Sequence, residues 1–124
     1  DISTAVQRLC SAVSRWTVVE DSALVRLMAY IHSTADYQLI GTLAMSDLLD
    51  VELRLYTDAD WNGDPSASKS TNGVWLELHC LKSGHTWPIA WCCSKQTATS
   101  SSTAEAESVA ASQGIRKEAL PVQI

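Results

Sequence analysis

The feature that most constrains this chain is a strand pattern that runs into a cluster of acids. Residues 51–57 alternate between polar and apolar side chains, which is typical of a half-buried β-strand. Asp58 stands where the pattern predicts the strand to end, Asp60 comes two residues later, and Asp64 follows an Asn-Gly pair typical of a turn. No Lys or Arg lies between Asp58 and Asp64, so the three carboxylates need bulk solvent or a bound cation to offset their repulsion. The stretch predicts half of a divalent-metal site.

Composition limits the class of protein. The 124 residues are 46% hydrophobic and 19% charged, which indicates one modest globular domain. The formal net charge of −5 argues against a free-standing nucleic-acid binder. No apolar run is long enough to span a bilayer, so we expect no membrane partner. The chain begins with Asp1 rather than Met, from which we expect a piece of a longer polypeptide.

The four cysteines predict reduced thiols in an intracellular setting, cytoplasmic or nuclear, because none has C-x-x-C spacing. Cys10 is predicted to be a core residue on a helix. A zinc site around one hairpin is a weaker alternative, since its spacing resembles no usual ligand pattern. Its candidate ligands are His79, Cys80, His85 and Cys93.

The front of the chain predicts two packing helices. The first covers residues 2–15, and the second begins at a Thr17–Glu20 capping box and runs to about Ile31. A short strand is expected at 37–40. We place the helical segment at 1–41, a connector at 42–50 and a separate module at 51–124. The residues predicted to face inward are Ile2, Val6, Leu9, Cys10 and Val13 in the first helix and Leu24, Leu27, Met28 and Ile31 in the second.

The rest of the chain predicts an antiparallel three-stranded meander followed by a helix. A polar loop at 64–72 separates the first strand from strands at 73–80 and 86–93, and Pro88 indicates an edge position or a bulge. A helix at 103–119 opens with a capping box of Ser102 and Glu105, and a further strand is expected from Val122. The expected core comprises Val74, Leu76, Leu78, Trp75, Trp87, Ile89 and Trp91, and the third strand is expected to place Trp87, Ile89, Trp91 and Cys93 on one face.

Two glutamates in the first turn of that helix point to different sides. Glu105 or Glu107 can cap the helix, and the other is free to face the sheet. If the helix crosses the meander near the first strand, Glu107 can meet Asp58. Carboxylates on a strand and on a packed helix suit hard cations such as Mg²⁺. Taken alone this signal is weak, because Asp at strand ends and Glu at helix starts are common.

An ordered set of motifs adds specificity. It closely resembles the RNase H domain of copia-type LTR retrotransposon Pol polyproteins, and residues 1–41 resemble the C-terminal end of the preceding reverse transcriptase region. The motifs are YTDADWNGDP at 56–65, KSTNG at 69–73, PIAW at 88–91, SKQ at 94–96 and STAEAE at 102–107, with YI at 30–31 and TADY at 34–37 in the front segment.

The resemblance implies a ribonuclease H-like α/β fold of the α+β type, here truncated, and Mg²⁺-dependent hydrolysis of RNA in RNA–DNA hybrids, with Mn²⁺ as a substitute. In the family two metal ions activate water and stabilise the leaving oxygen. Asp58 matches the first-strand aspartate that bridges the metals, and Glu107 matches the helix glutamate that ligates one of them. Asp60 belongs to the pattern as a supporting acid. The expected partners are an RNA–DNA hybrid and the rest of the Pol polyprotein.

The sequence departs from the family pattern at several positions, and these departures bear on the expected hydrolysis. Ser108 replaces the usual Tyr, Cys92-Cys93 replaces a commoner polar pair, and two later carboxylates of the family site are not in the sequence. We therefore expect little or no hydrolysis by this chain alone. Because the family pairs a later strand with the first one, residues 51–57 are expected to form an exposed edge that favours self-association.

Two other functions compete with a nuclease fragment. One is a non-catalytic connector or scaffold, which would bind no metal at Asp58 and Glu107. The other is nucleic-acid binding without cleavage, in which polar and basic side chains contact phosphates. The candidate phosphate ligands are Lys69, Ser70, Thr71 and Lys95. Trp61 is expected either to pack beneath the acidic site or to stack near a substrate.

Overall fold

A computed structural model divides the chain into two units, the first ending at Leu39 and the second beginning at Ile40. The structure describes residues 2–64 and 68–122, and the side chains of 62–64 lie outside this description. The two units differ in secondary structure: the first is helical, and the second combines a three-stranded antiparallel sheet with helices. Within the described residues, no helix is both long and apolar enough to cross a membrane.

The first unit contains the two expected helices. Helix α1 spans Ser3–Ala12 and continues into a 3-10 turn at Val13–Arg15, and helix α2 spans Val18–Ser33. The predicted capping box at the start of α2 is confirmed. Val19 N–H donates to Thr17 Oγ1 over 3.2 Å, and Thr17 N–H donates to Glu20 Oε2 over 2.8 Å. Two otherwise orphaned backbone donors are satisfied in this way.

The inward-facing residues predicted for these helices are mostly exposed. Ala12 is the one buried residue among the described residues of the two helices. Met28 is 56% exposed and Val13 67%, and the thiol of Cys10 lies at the surface rather than in a core. Two helices shield only the sides that face each other, which explains the difference. The strand expected at 37–40 is also wrong, because this segment has no ladder partner and is irregular.

The segment predicted as a connector at 42–50 is an ordered part of the second unit. It contains a 3-10 helix at Met45–Leu49, and the buried carboxylate of Asp47 caps the N-terminus of this helix. One Asp47 oxygen, Oδ2, accepts a hydrogen bond from Ala44 N–H and contacts His85 Nδ1, each at 2.8 Å. Thr42 N–H donates to the carbonyl of Thr86 over 2.8 Å. The segment is therefore fastened to the hairpin that joins the second and third strands.

Asp47 should make this unit sensitive to acid. Its hydrogen bond from the Ala44 N–H, with a second contribution from His85, lowers the pKa of Asp47 from 3.8 to about 2. The carboxylate therefore stabilises the folded state fully above pH 3.8, and that contribution is lost as the pH falls toward 2. Urea unfolding of the wild type and of Asp47→Asn over this window should show a steeper loss for the wild type. Equal slopes would contradict this assignment.

The predicted meander is confirmed, with longer strands than expected. Strands β1 (Val51–Asp64), β2 (Lys69–Cys80) and β3 (Thr86–Lys95) pair antiparallel in the order β1-β2-β3. β1 does not end at Asp58 but continues to Asp64 with a register irregularity after Asp60. The loop expected at 64–72 is accordingly too long, because β2 already begins at Lys69. Pairing to β2 through Asp60, and again at Asp64, extends the strand beyond the point at which local turn signals predicted its end.

Pro88 produces both effects that its position predicted. It lies in the edge strand β3, and the register shifts so that Leu76 faces Ala90 whereas Glu77 faces Pro88. This bulge reverses the alternation of β3, so Trp87 and Trp91 lie on opposite faces instead of one. Both are about half exposed, at 49% and 51%, which contradicts their predicted place in the core. The predicted burial of Val74 and Leu76 is confirmed.

The last helix is shorter than expected. Helix α3 spans Thr103–Gly114 and is followed by a π-helical turn at Ile115–Ala119. A short 3-10 helix at Leu120–Val122 follows the turn, so Val122 does not begin a strand. The remainder of the predicted strand, residues 123 and 124, lies outside the described residues.

Candidate functional site

Helix α3 packs along β1 through small residues. Ala106 and Ala110, both 0% exposed, form a buried cluster with Ala59. Further along the helix, a Cβ placed on Gly114 would lie 2.9 Å from Thr57 Cγ2 and 3.4 Å from the nearest methyl of Leu55. The helix therefore runs antiparallel to β1, with its acidic first turn near the Ala59 end of the strand.

Alternation along β1 places the two acids on the other face of the sheet. Leu55, Thr57 and Ala59 face α3, so Asp58 and Asp60 point away from it. Asp58 pairs with Gly73 of β2, and a Cβ on Gly73 would lie 3.9 Å from Asp58 Cβ on that same open face. Both aspartates are exposed, so solvent offsets their repulsion in this structure.

The two glutamates of α3 have separate roles, as expected. The Glu105 carboxylate accepts hydrogen bonds of 2.7 Å from both the N–H and the hydroxyl of Ser101, and these bonds lower the pKa of Glu105. The Glu105 N–H donates to Ser102 Oγ over 3.2 Å, so the cap forms but its return contact falls on Ser101, one residue earlier than predicted. Glu107 makes no such cap and is half-buried.

Helical spacing brings Glu107 to the β1 side of α3. Glu107 lies two turns before Gly114, which contacts Thr57 on β1, so the two share one side of the helix. Asp58 and Glu107 therefore reach the same level of β1 from opposite faces of the sheet. In the described sheet β1 is an edge strand, and the two carboxylates can converge only around this edge.

The described residues do not assemble a complete metal centre. Among them, no group of three or more His, Cys, Asp and Glu side chains is placed to hold one ion. Asp58 and Asp60 share the open face, Glu107 is on the helix that packs on the other face, and the side chain of Asp64 is outside the described set. The described side chains therefore do not form a two-metal site.

The zinc alternative does not form. His79 and Cys80 are consecutive residues of β2, so their side chains point to opposite faces of the sheet. The His85 ring contacts the Asp47 carboxylate, and Cys93 lies on β3 as the cross-strand partner of Gly73. These placements separate the four candidate ligands.

The candidate phosphate ligands divide into accessible and buried residues. Thr71 and Lys95 are cross-strand partners, and Lys69 stands at the start of β2 opposite Asp64. Ser70 is 1% exposed and its carbonyl accepts from Gln96 N–H over 2.9 Å. As folded, the Ser70 hydroxyl is not available to a phosphate, which corrects its place in the predicted set.

A buried amide network that sequence reasoning did not predict holds α3 on the sheet. Gln96, 2% exposed, donates through Nε2 to Asn72 Oδ1 over 2.7 Å and to the carbonyl of Ala106 over 2.8 Å. Its Oε1 accepts from the Ser100 hydroxyl over 2.8 Å. Gln96 thus ties β2, β3 and the first turn of α3 together in a site shielded from water. Such networks are stabilising only when every member is satisfied.

Gln113 and Trp61 extend this network. Gln113 Oε1 accepts from Asn72 Nδ2, and Gln113 Nε2 donates to Ser94 Oγ, each over 2.9 Å. Trp61 Nε1 donates to the Ser100 carbonyl over 3.1 Å, so Trp61 supports the loop before α3 while remaining 46% exposed. The sequence signal for this network was the presence of Asn72 and Gln96 inside the KSTNG and SKQ motifs.

Fold and site together define a mixed α/β protein in which a three-stranded antiparallel meander carries one packed helix and acids flank its edge strand. Comparison with known proteins then gives its family. Two relatives are the retrovirus-related Pol polyproteins from transposons RE2 and RE1 of Arabidopsis thaliana, each 36% identical over 107 residues. The match covers 86% of this chain but 7% of either polyprotein.

A third relative is matched over most of its length. It is the secreted RxLR effector protein 161 of Plasmopara viticola, 30% identical over 119 residues, which are 94% of this chain and 75% of that protein. The chain belongs to the same family as this protein, and its homologues include retrovirus-related Pol polyproteins from transposons. No family model matches the chain. No solved structure matches it significantly.

Proposed function

We propose that this chain is a retrotransposon-derived piece of a Pol polyprotein that joins the end of a reverse transcriptase region to part of an RNase H-like domain of the copia type. The reaction of that domain would be divalent-metal-dependent hydrolysis of RNA in an RNA–DNA hybrid. The proposal rests first on the similarity to two transposon Pol polyproteins over 86% of the chain.

The geometric observation that carries the proposal is the crossing of α3 over β1. Ala106 and Ala110 pack on Ala59, and Glu107 and Asp58 are their immediate neighbours in sequence on opposite faces of the sheet, which supports an ion held around the strand edge. Glu105 is less suited to this role, because Ser101 engages its Oε2 through two hydrogen bonds. The buried Gln96 bond to the Ala106 carbonyl fixes the helix turn that carries Glu107.

Magnesium would supply positive charge at the reacting phosphate, and Asp58 and Glu107 are the residues proposed to hold it, with Asp60 beside them. The described side chains do not fit a two-metal centre, since they offer no group of three ligands. We therefore propose weak binding of a single ion and no appreciable hydrolysis of a hybrid by this chain alone. Hydrolysis by the purified chain that Asp58→Asn abolishes would contradict this part.

The metal proposal predicts a specific NMR result. Substoichiometric Mn²⁺ should broaden the backbone amide signals around Asp58 and Glu107 before those of any other region, because paramagnetic broadening falls off steeply with distance. Asp58→Asn and Glu107→Gln should each remove the effect, whereas Glu105→Gln should preserve it. Broadening that survives Asp58→Asn and Glu107→Gln, or that centres elsewhere, would overturn the assignment.

A non-catalytic scaffold is the second candidate function. The observation that favours it is the dispersal of the acids, with Asp58 and Asp60 exposed on the face away from α3. A scaffold would bind no Mn²⁺ at Asp58 or Glu107, so the same titration separates the two functions.

The partners and location of the chain belong to the same proposal. We propose that it contacts an RNA–DNA hybrid through Lys69, Thr71 and Lys95. We also propose that it works with the rest of a Pol polyprotein inside the cell, where its four cysteine thiols would stay reduced. Hybrid binding should weaken as salt rises. Self-association through the β1 edge also stays a prediction, which sedimentation as a concentration-independent monomer would contradict.

A further inference from the structure

The helical unit lacks a core of its own. Of the described residues in α1 and α2, Ala12 alone is buried, and α2 has no buried residue at all. Helices of this length owe most of their stability to packing of an apolar face rather than to intrinsic propensity. A pair of helices with so little burial is therefore stabilised when a further element covers its apolar side.

The uncovered side is a groove rather than a flat surface. It lies between α1 and α2, has a volume of about 590 Å³, and is mainly apolar. Its floor is made by small and branched residues from both helices, namely Ala5, Leu9, Ala12, Val19, Ala23 and Leu27. A groove between two helices that is lined in this way matches the apolar stripe of a third helix.

The charges around the groove indicate the chemistry of that helix. Arg8 of α1 and Arg26 of α2 both line it, and within the described residues neither guanidinium forms an ion pair. Glu20 is the acid in the lining, and its carboxylate is engaged by the N–H and hydroxyl of Thr17, which lower the pKa of Glu20. The groove therefore presents two available cations beside an apolar floor. Complementary charge on a partner would give it both orientation and selectivity.

We propose that the α1–α2 groove is a docking site for an acidic amphipathic helix, with apolar residues spaced by three and four and carboxylates that meet Arg8 and Arg26. The apolar stripe fills the groove, and the flanking acids pair with the two arginines. This inference is independent of the proposed nuclease ancestry, because no residue of the acidic site takes part.

The test uses the full chain and a synthetic helical peptide of about 15 residues, with leucines at helical spacing and glutamates on both flanks. Binding is measured by the fluorescence anisotropy of a labelled peptide. The wild type should bind this peptide at least about tenfold more tightly than a peptide in which every glutamate is lysine. The double variant Arg8→Glu, Arg26→Glu should lose that preference, and Arg116→Glu, in the other unit, should keep it.

Each other outcome overturns the proposal. Equal binding of the acidic and basic peptides would mean that the groove binds apolar side chains nonspecifically, without selectivity for charge. No binding of either peptide by chain that retains wild-type circular dichroism would mean that the groove takes no helix. Concentration-dependent dimerisation that Arg8→Glu, Arg26→Glu leaves intact and that blocks the peptide would assign the groove to a second copy of the chain.

Discussion

Replacing Gln96 with Leu is expected to lower the free energy of unfolding of the sheet unit by about 2–4 kcal/mol. The substitution removes both bonds that Gln96 Nε2 donates, to Asn72 Oδ1 and to the Ala106 carbonyl, and also the acceptor of the Ser100 hydroxyl. Each buried polar group left without a partner costs about 1–3 kcal/mol. Asn72 is 0% exposed, so water cannot replace the lost bond without opening the site.

Urea unfolding followed by tryptophan fluorescence measures this loss, since four of the five tryptophans lie in the sheet unit. Thr99→Leu is the matched control: it places the same side chain at an exposed position near Gln96 and should stay within about 0.5 kcal/mol of the wild type. Gln113→Leu should fall between the two, because it leaves the Gln96 bonds in place. A Gln96→Leu protein as stable as the control would show that the network contributes little.

Gly114→Ala is expected to destabilise the same unit by up to about 2 kcal/mol, although alanine is the better helix former. The added methyl would meet Thr57 Cγ2 at 2.9 Å, a distance at which α3 and β1 must move apart. Overpacking of this kind costs about 1–3 kcal/mol, whereas the gain in helix propensity over glycine is about 1 kcal/mol. The cost of overpacking against the strand therefore exceeds the gain in helix propensity, or equals it when that cost is at the lower end of its range.

A double-mutant cycle with Thr57→Ala separates these two effects. Removing Thr57 Cγ2 leaves the Leu55 methyls, at 3.4 Å and 3.5 Å, as the nearest atoms to the new side chain. In that background Gly114→Ala should cost much less, or become stabilising by up to about 1 kcal/mol. Measurement by urea unfolding gives the coupling directly. If Gly114→Ala costs the same in the wild type and in the Thr57→Ala background, the close approach of α3 to β1 is not its cause.

Local pattern was sufficient to predict the helix caps and the effect of Pro88. The Thr17–Glu20 box predicted the start of α2, Ser102 predicted the cap of α3, and Pro88 predicted an edge position or a bulge. These signals depend on backbone groups within a few residues of the side chain, so they can be recognised from the sequence without knowledge of the fold.

Longer-range pairing overrode local signals elsewhere. The Asn-Gly pair at 62–63 predicted a turn, but pairing to β2 carries β1 on to Asp64. Burial also departed from pattern: the bulge at Pro88 turned Trp91 onto the open face, and the helical unit exposes residues such as Met28 that its periodicity placed inside. Which side of an element becomes buried depends on what packs against it, and an isolated pattern contains no such information.

The sequence by itself determined the order and type of the main elements, the acidic stretch of β1 and the division of roles between Glu105 and Glu107. Only the tertiary structure decided that Asp58 points away from the face on which α3 packs, and that Asn72, Gln96 and Gln113 hold α3 in place. The physical reason is that a cap or a strand pattern is satisfied by near neighbours. The face reached by a carboxylate and the partners of a buried amide depend instead on strand register and on contacts between residues distant along the chain.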